Sequence, residues 1–210
     1  MAILLDSASL DDASAAAGLG FVRGITTNPA LMARETKDPL AHLARLLEAL
    51  PEGPVFYQPT RSDAGEMDAE ARAAVALAPE RVVAKLPATL EALTLATQLR
   101  RDGVRCALTA VYSPAQALLA HEAGCAWIIP YVDRAARHSA GAVVVEQAAV
   151  LEQLDSPTRI LAASLKSGPQ VAEAVLDGAH DVTAPLAVLR ALAGHPLTEA
   201  AVREFAAHWE

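Results

Sequence analysis

The sequence predicts an α/β fold: a closed (β/α)8 TIM barrel with an extra C-terminal helix, built as one domain over residues 1–210. Three observations carry this expectation. Short apolar runs alternate with amphipathic runs roughly eight times, which argues for a parallel sheet with helical crossovers. Glycines close several amphipathic runs, in "RRDG", "HEAG" and "LDGA", where they suit helix C-caps. The length of 210 residues supports one substantial core. Barrels of this type typically need about 250 residues, so the loops must be short.

The elements follow in order. "AILLDS" is the first apolar strand, and "LDDASAAAGL" the first amphipathic helix. "GITTN" comes next, followed by the helix "DPLAHLARLLEAL". "PVFYQPT" precedes "DAGEMDAEARAAVAL", and "RVVAKLP" precedes "TLEALTLATQLRRDG". "VRCALTAVY" leads into "SPAQALLAHEAG", and "AWIIPYV" into "AGAVVVEQAAVLEQL". "RILAASL" leads into "GPQVAEAVLDGA", and "DVTAPL" is the eighth strand. The strands are short and apolar, whereas the helices are rich in Ala, Leu, Glu and Arg. The last segment, "HPLTEAAVREFAAHWE", is the extra amphipathic helix, with Thr198 as its candidate cap. Its Phe205 and Trp209 fall at i and i+4 on one face. That face needs a surface to cover, either the barrel or another subunit.

Composition narrows the function classes. Lys plus Arg is 17 and Asp plus Glu is 25, giving a formal charge of −8. A basic footprint for nucleic acid is absent. Cys106 and Cys125 lie in apolar segments and read as reduced core residues. The opening "MAILLDSASLDD" has no basic leader, and no apolar run is long enough to cross a bilayer, so a cytoplasmic location with no membrane partner is expected. The 6 histidines are scattered without metal-ligand spacing, so no metal site is expected. "GLGFVRG" at 18–24 lacks the third glycine and the preceding strand of a dinucleotide loop.

In a barrel of this kind, chemistry sits where the strands run out into the following loops. Polar residues stand there in step: Asp6, then Thr26, Thr27 and Asn28, then Gln58, Lys85, Thr109, Tyr131, Ser164 and Thr183. Asp133, Arg134 and Lys166 follow just beyond their strands. A single strand Thr or Ser suits a structural hydrogen bond, Asp6 and Asn28 suit turns, and Lys85 suits snorkelling from a strand end. All of them at once is a weaker explanation, because they recur at one strand position. Lys85 lies inside the apolar run "RVVAKLP". An amine is a nucleophile only when neutral, and burial favours the neutral form. Lys85 therefore suits Schiff-base chemistry on a carbonyl substrate.

These residues resemble a known family. "LLDSA", "GITTNPALM", "VVAKLP", "LTAVYSPAQALLA", "PYVDR", "LAASLK" and "FAAHWE" resemble the small transaldolase family, and within it most the fructose-6-phosphate aldolases. The resemblance runs along the whole chain, and the "TTNP" and "VVxKxP" segments in this order carry most of it. It implies a metal-free, cofactor-free class I aldol reaction on sugars and sugar phosphates. Lys85 matches the Schiff-base lysine. Asp6 and Asn28, the latter beside Thr26 in the substrate-binding segment, match residues that orient the donor hydroxyls. Asp6 also suits proton transfer at the hydroxyl whose carbon is cleaved. Thr109 matches a residue that holds a catalytic water. Arg134 and Ser164 match phosphate-binding positions, with Lys166 placed as a second cation.

Two positions separate the branches of the family. Transaldolases generally carry Glu in the third strand and Phe in the sixth, whereas this chain has Gln58 and Tyr131, the aldolase choice. A phenol relays a proton through water and Phe does not. Pro59, directly after Gln58, departs from the family pattern and alters the end of that strand. The leading expectation is a fructose 6-phosphate aldolase. The alternatives are a transaldolase that transfers a dihydroxyacetone unit and a non-catalytic sugar-phosphate binding barrel. The resemblance also implies a homo-oligomer, commonly pentamers paired into decamers.

Overall fold

The computed structural model describes residues 1–208. Eight parallel strands close into a barrel in sequence order. They are β1 (Ile3–Asp6), β2 (Val22–Thr26), β3 (Val55–Tyr57), β4 (Val82–Pro87), β5 (Cys106–Val111), β6 (Trp127–Pro130), β7 (Arg159–Ala162) and β8 (Asp181–Ala184). Pairing of β1 with β8, Ile3 opposite Val182 and Leu5 opposite Ala184, closes the ring. The expected (β/α)8 architecture is therefore present.

Helices cover the outside: α1 (Leu10–Gly18), α2 (Pro29–Glu35), α3 (Pro39–Ala49), α4 (Ala64–Leu77), α5 (Leu90–Arg101), α6 (Pro114–Glu122), α7 (Val132–Arg137), α8 (Val143–Gln153), α9 (Gly168–Leu176), α10 (Leu186–Ala191) and α11 (Pro196–Ala206). The expected glycine caps are in place just past α5, α6 and α9. Gly103, Gly124 and Gly178 have φ of 81°, 66° and 105°, conformations that a Cβ disfavours. The helix α11 starts earlier than Thr198. His195 is its N-cap, its Nδ1 accepting from the Leu197 N–H at 3.2 Å, with Pro196 as the first helical residue.

Side-chain alternation divides the strands between two cores. Leu5, Ile25, Tyr57, Ala84, Leu108, Ile128 and Ala162 face the helices in the outer core. Leu4, Phe56, Val83, Ala107, Ile129 and Leu161 fill the barrel itself. At the N-terminal end, the floor, Asp181 is only 5% exposed at its side chain and pairs with Arg159 at 2.8 Å. It also accepts from the Ala2 N–H at 2.7 Å and from Trp127 Nε1 at 3.2 Å. Cys106 and Cys125 are free and buried, and burial pushes both thiols up to about 12, so they stay protonated. Among the described residues, no helix is long and apolar enough to cross a membrane.

Candidate active site

The inner filling residues locate the next layer up. A residue two positions further along a strand points the same way, one layer toward the C-terminal mouth. Beyond Leu4, Phe56, Val83, Ala107 and Ile129 this rule gives Asp6, Gln58, Lys85, Thr109 and Tyr131. Thr26 joins them, since its neighbour Ile25 faces the outer core. The mouth is thus lined by most of the residues that the sequence singles out.

Direct contacts tie these side chains into two groups. In the first, Thr26 Oγ1 donates to Asp6 Oδ1 at 2.9 Å and lies 2.7 Å from Thr183 Oγ1. In the second, Lys85 is 2% exposed, and its Nζ donates to the Thr27 carbonyl at 2.8 Å. The same Nζ lies 5.9 Å from the centroid of the Tyr131 ring. The guanidinium carbon of Arg134 lies 5.3 Å from that centroid. Thr109 Oγ1 is 3.5 Å from the Tyr131 hydroxyl. Tyr131 sits one residue past β6, fixed by a bridge to Ala163. An amine, a phenol, three hydroxyl-bearing strands and a carboxylate therefore share one largely buried mouth.

The remaining expected residues are placed less directly. Asn28 is half-buried and is the N-cap of α2, its Oδ1 accepting from the Leu31 N–H at 3.0 Å. Its turn-forming role is real. Gln58 follows β3 and lines a cleft of about 330 Å³ with Pro29, Pro59, Arg61, Pro87 and Thr89. Pro59 is buried, and the loop after it is tied down by Glu70, which accepts from the Thr60 N–H at 3.0 Å. Ser164 lies two residues past β7 with φ of 63°, a left-handed turn at the mouth. Arg134, in α7, and Lys166 are exposed. No hydrogen bond links the side chains of Gln58, Ser164 or Lys166 to the Lys85 group among the described residues.

Three participants were not assigned from sequence. The Thr27 carbonyl that holds Lys85 is backbone and leaves no signature in residue type. Thr183 was visible as a strand-end polar residue without a role, and the structure makes it the partner of Thr26. The Tyr112 ring meets that of Tyr131 edge-on, with centroids 6.2 Å apart. Among the described residues no group of His, Cys, Asp and Glu is arranged to hold a metal ion.

A parallel barrel with its polar side chains gathered where the strands end follows the plan of barrel enzymes. Residues 3–210 match the family model described as transaldolase/fructose-6-phosphate aldolase, and the chain belongs to that family. It is 38% identical over 211 residues to a probable transaldolase of Desulforudis audaxviator (strain MP104C), covering 100% of this chain and 97% of that protein. It is 36% identical over 212 residues to a probable transaldolase of Symbiobacterium thermophilum, again covering 100% of this chain and 97% of the relative. A probable transaldolase of Pelotomaculum thermopropionicum is 34% identical over 212 residues, covering 100% of this chain and 98% of that protein.

Proposed function

We propose that the protein is a cytoplasmic Schiff-base aldolase that reversibly cleaves fructose 6-phosphate to dihydroxyacetone and glyceraldehyde 3-phosphate, or joins closely related pairs. The observation that carries this reading is the Tyr131 phenol, 3.5 Å from the Thr109 hydroxyl and with its ring 5.9 Å from Lys85 Nζ. A water held between Thr109 and Tyr131 would stand next to any carbon bound to that nitrogen.

The Lys85 amine adds to the C2 carbonyl, the hydroxyl so formed takes up a proton and leaves as water, and an iminium results. The iminium accepts the electron pair of the C3–C4 bond as that bond breaks. The C4 hydroxyl gives up its proton, with Asp6 as the acceptor, and glyceraldehyde 3-phosphate departs. The enamine left on Lys85 takes up at C3 the proton that Asp6 accepted, and water then adds at C2, freeing dihydroxyacetone, the amine and the proton taken up at the start. Tyr131 relays protons through the water in that last step. Asn28, through Nδ2, and Thr26 orient the donor hydroxyls, Gln58 orients the water, and Arg134, Ser164 and Lys166 receive the phosphate.

The names of the relatives favour a second reading, in which Lys85 holds the dihydroxyacetone unit for transfer to an aldose phosphate. One experiment separates the two. Fructose 6-phosphate is supplied with no acceptor, and free glyceraldehyde 3-phosphate and dihydroxyacetone are measured. Both are expected to appear, and Tyr131→Phe to reduce their release roughly a hundredfold or more, the scale of losing an acid–base group. Borohydride added with dihydroxyacetone is expected to fix a reduced three-carbon unit on Lys85, read by peptide mass mapping. Release only when erythrose 4-phosphate is present would establish the transaldolase reading instead. An adduct on another lysine, or none, removes the Schiff-base mechanism altogether.

A further inference from the structure

Strand β5 contains one residue more than its neighbour needs. Along the β5–β6 ladder Thr109 is opposite Ile129 and Val111 is opposite Pro130, which leaves Ala110 without a partner. Ala110 has φ of 56°, a left-handed conformation that a residue with a Cβ adopts only under constraint. An extra residue of this kind reverses the pleat beyond it. Before the bulge Ala107 packs inside the barrel, and Thr109, by alternation, points the same way. After it Val111 belongs to the outer core, where a regular strand would turn it inward.

The two sides of the bulge converge on one group. Thr109, just before it, brings its hydroxyl within 3.5 Å of the Tyr131 phenol oxygen. Tyr112, just after it, brings its ring to 6.2 Å from the Tyr131 ring, at 78° between planes. In a regular strand Tyr112 would stand on the face opposite Thr109. Its backbone is held in turn, since its N–H donates to Gln116 Oε1 at 2.8 Å at the start of α6. Tyr131 itself lies just outside β6, where among the described residues a bridge to Ala163 is its one ladder contact. Its ring therefore depends on neighbouring side chains for its orientation.

We infer that the Ala110 bulge and the Tyr112 ring are positioning devices for the Tyr131 phenol. This rests on the proposed proton-relay role of Tyr131. Edge-to-face packing fixes the plane of an aromatic ring, and the strain held at Ala110 keeps Thr109 and Tyr112 on the same target. Neither Ala110 nor Tyr112 exchanges a proton with substrate.

The test is a double-mutant cycle on the whole protein, using whichever reaction of fructose 6-phosphate, release or transfer, the Tyr131→Phe change slows. Tyr112→Ala is expected to lower kcat by roughly tenfold to a hundredfold, the scale of a misplaced catalytic group, with a smaller change in KM. In a Tyr131→Phe background the same change is expected to cost little more, because the group being positioned is gone. Tyr112→Phe keeps the ring and is expected to restore most of the rate. Tyr112→Leu keeps apolar bulk without the ring and replaces Tyr112→Ala if that variant does not fold. Ala110→Val, which forces a β-branched residue into a left-handed φ, is expected to slow the reaction more than Ala110→Gly.

Equal losses in both Tyr131 backgrounds, or no loss for Tyr112→Ala and Tyr112→Leu, would overturn the inference. So would a Tyr131→Phe protein that slows neither release nor transfer. Failure of the aldolase reading looks different: wild type then releases nothing without an acceptor, and the cycle is read on transfer. Borohydride trapping of dihydroxyacetone on Lys85 is expected to be slower where Tyr131 is changed or misplaced, because adduct formation reverses the hydrolysis that Tyr131 relays, but to reach Lys85 in every folded variant given time, which separates loss of Tyr131 orientation from loss of the fold.

Discussion

Thr26 has one hydroxyl proton and two oxygen neighbours, which orders the protons around it. It donates to Asp6 Oδ1, so the contact with Thr183 must be a hydrogen bond donated by Thr183. Thr26 and Thr183 thereby fix one oxygen of Asp6 in place at the mouth. At the other side of the mouth Arg134 is exposed and lies over the Tyr131 ring, so its planar charge is open to an incoming anion. Arg134→Ala is expected to weaken phosphorylated acceptors more than unphosphorylated aldehydes. A charge-assisted contact is worth about 1.5–3 kcal/mol, so the two classes should separate by about tenfold to a hundredfold. Steady-state kinetics with glyceraldehyde 3-phosphate and glyceraldehyde measure this, and equal losses on both would remove Arg134 from phosphate recognition. At this scale the strand-borne groups were legible, because Asp6, Lys85, Thr109 and Tyr131 recur at one strand position and the pleat has a fixed period. The carbonyl of Thr27 was not, since every residue has one. Tyr112 was hidden because it follows the end of β5, where the bulge at Ala110 has broken the alternation, and it packs on the outer core as well as on the Tyr131 ring.

Among the elements, β8 does two jobs. Its Thr183 supports the mouth, and two residues earlier Asp181 ties the floor together across β1, β6, β7 and β8. Burial alone would raise the Asp181 carboxyl, but hydrogen bonds from Arg159, Trp127 and Ala2 outweigh it and hold the group below the ordinary carboxylate range. A carboxyl lowered in the folded state stabilises the fold fully above its unfolded value of about 3.9, and that contribution is lost as pH falls through the folded value. Asp181→Asn is expected to cost roughly 3 kcal/mol at pH 7, the low end for breaking a buried pair, because the Arg159 side chain is 40% exposed and can return to water. Urea unfolding at neutral pH and below the ordinary carboxylate range checks this: the gap between wild type and variant should shrink in acid. An unchanged gap would assign the loss to packing. The eight strands were readable as short apolar runs between amphipathic ones, and the longer helices because each carries several turns of pattern. The three short helices α2, α7 and α10 run for 7, 6 and 6 residues and were not marked. Fewer than two full turns show no period, and only the Asn28–Pro29 cap signal announces α2.

For the molecule as a whole, α11 is the element that the barrel leaves unused. None of its residues is buried, and Leu197, Val202 and Phe205 are 74%, 60% and 65% exposed. The sequence leaves two homes for this face, the barrel or another subunit, and the barrel does not cover it. Trp209, its expected partner to Phe205, lies outside the described residues. Burying a large apolar side chain completely yields roughly 1.5–3 kcal/mol, so three exposed on one short helix favour a partner surface. A second copy of the chain is the partner expected, consistent with a homo-oligomer. Deletion from Pro196 onward removes a helix with no buried residue of its own, so the barrel is expected to remain folded by circular dichroism. Sedimentation velocity is then expected to show a smaller assembly than the full chain forms. The milder double change Leu197→Ser with Phe205→Ser should act in the same direction, because it removes the apolar face and leaves the helix. If the full chain sediments as a monomer, or the deletion leaves the assembly size unchanged, the exposed face of α11 does not hold subunits together.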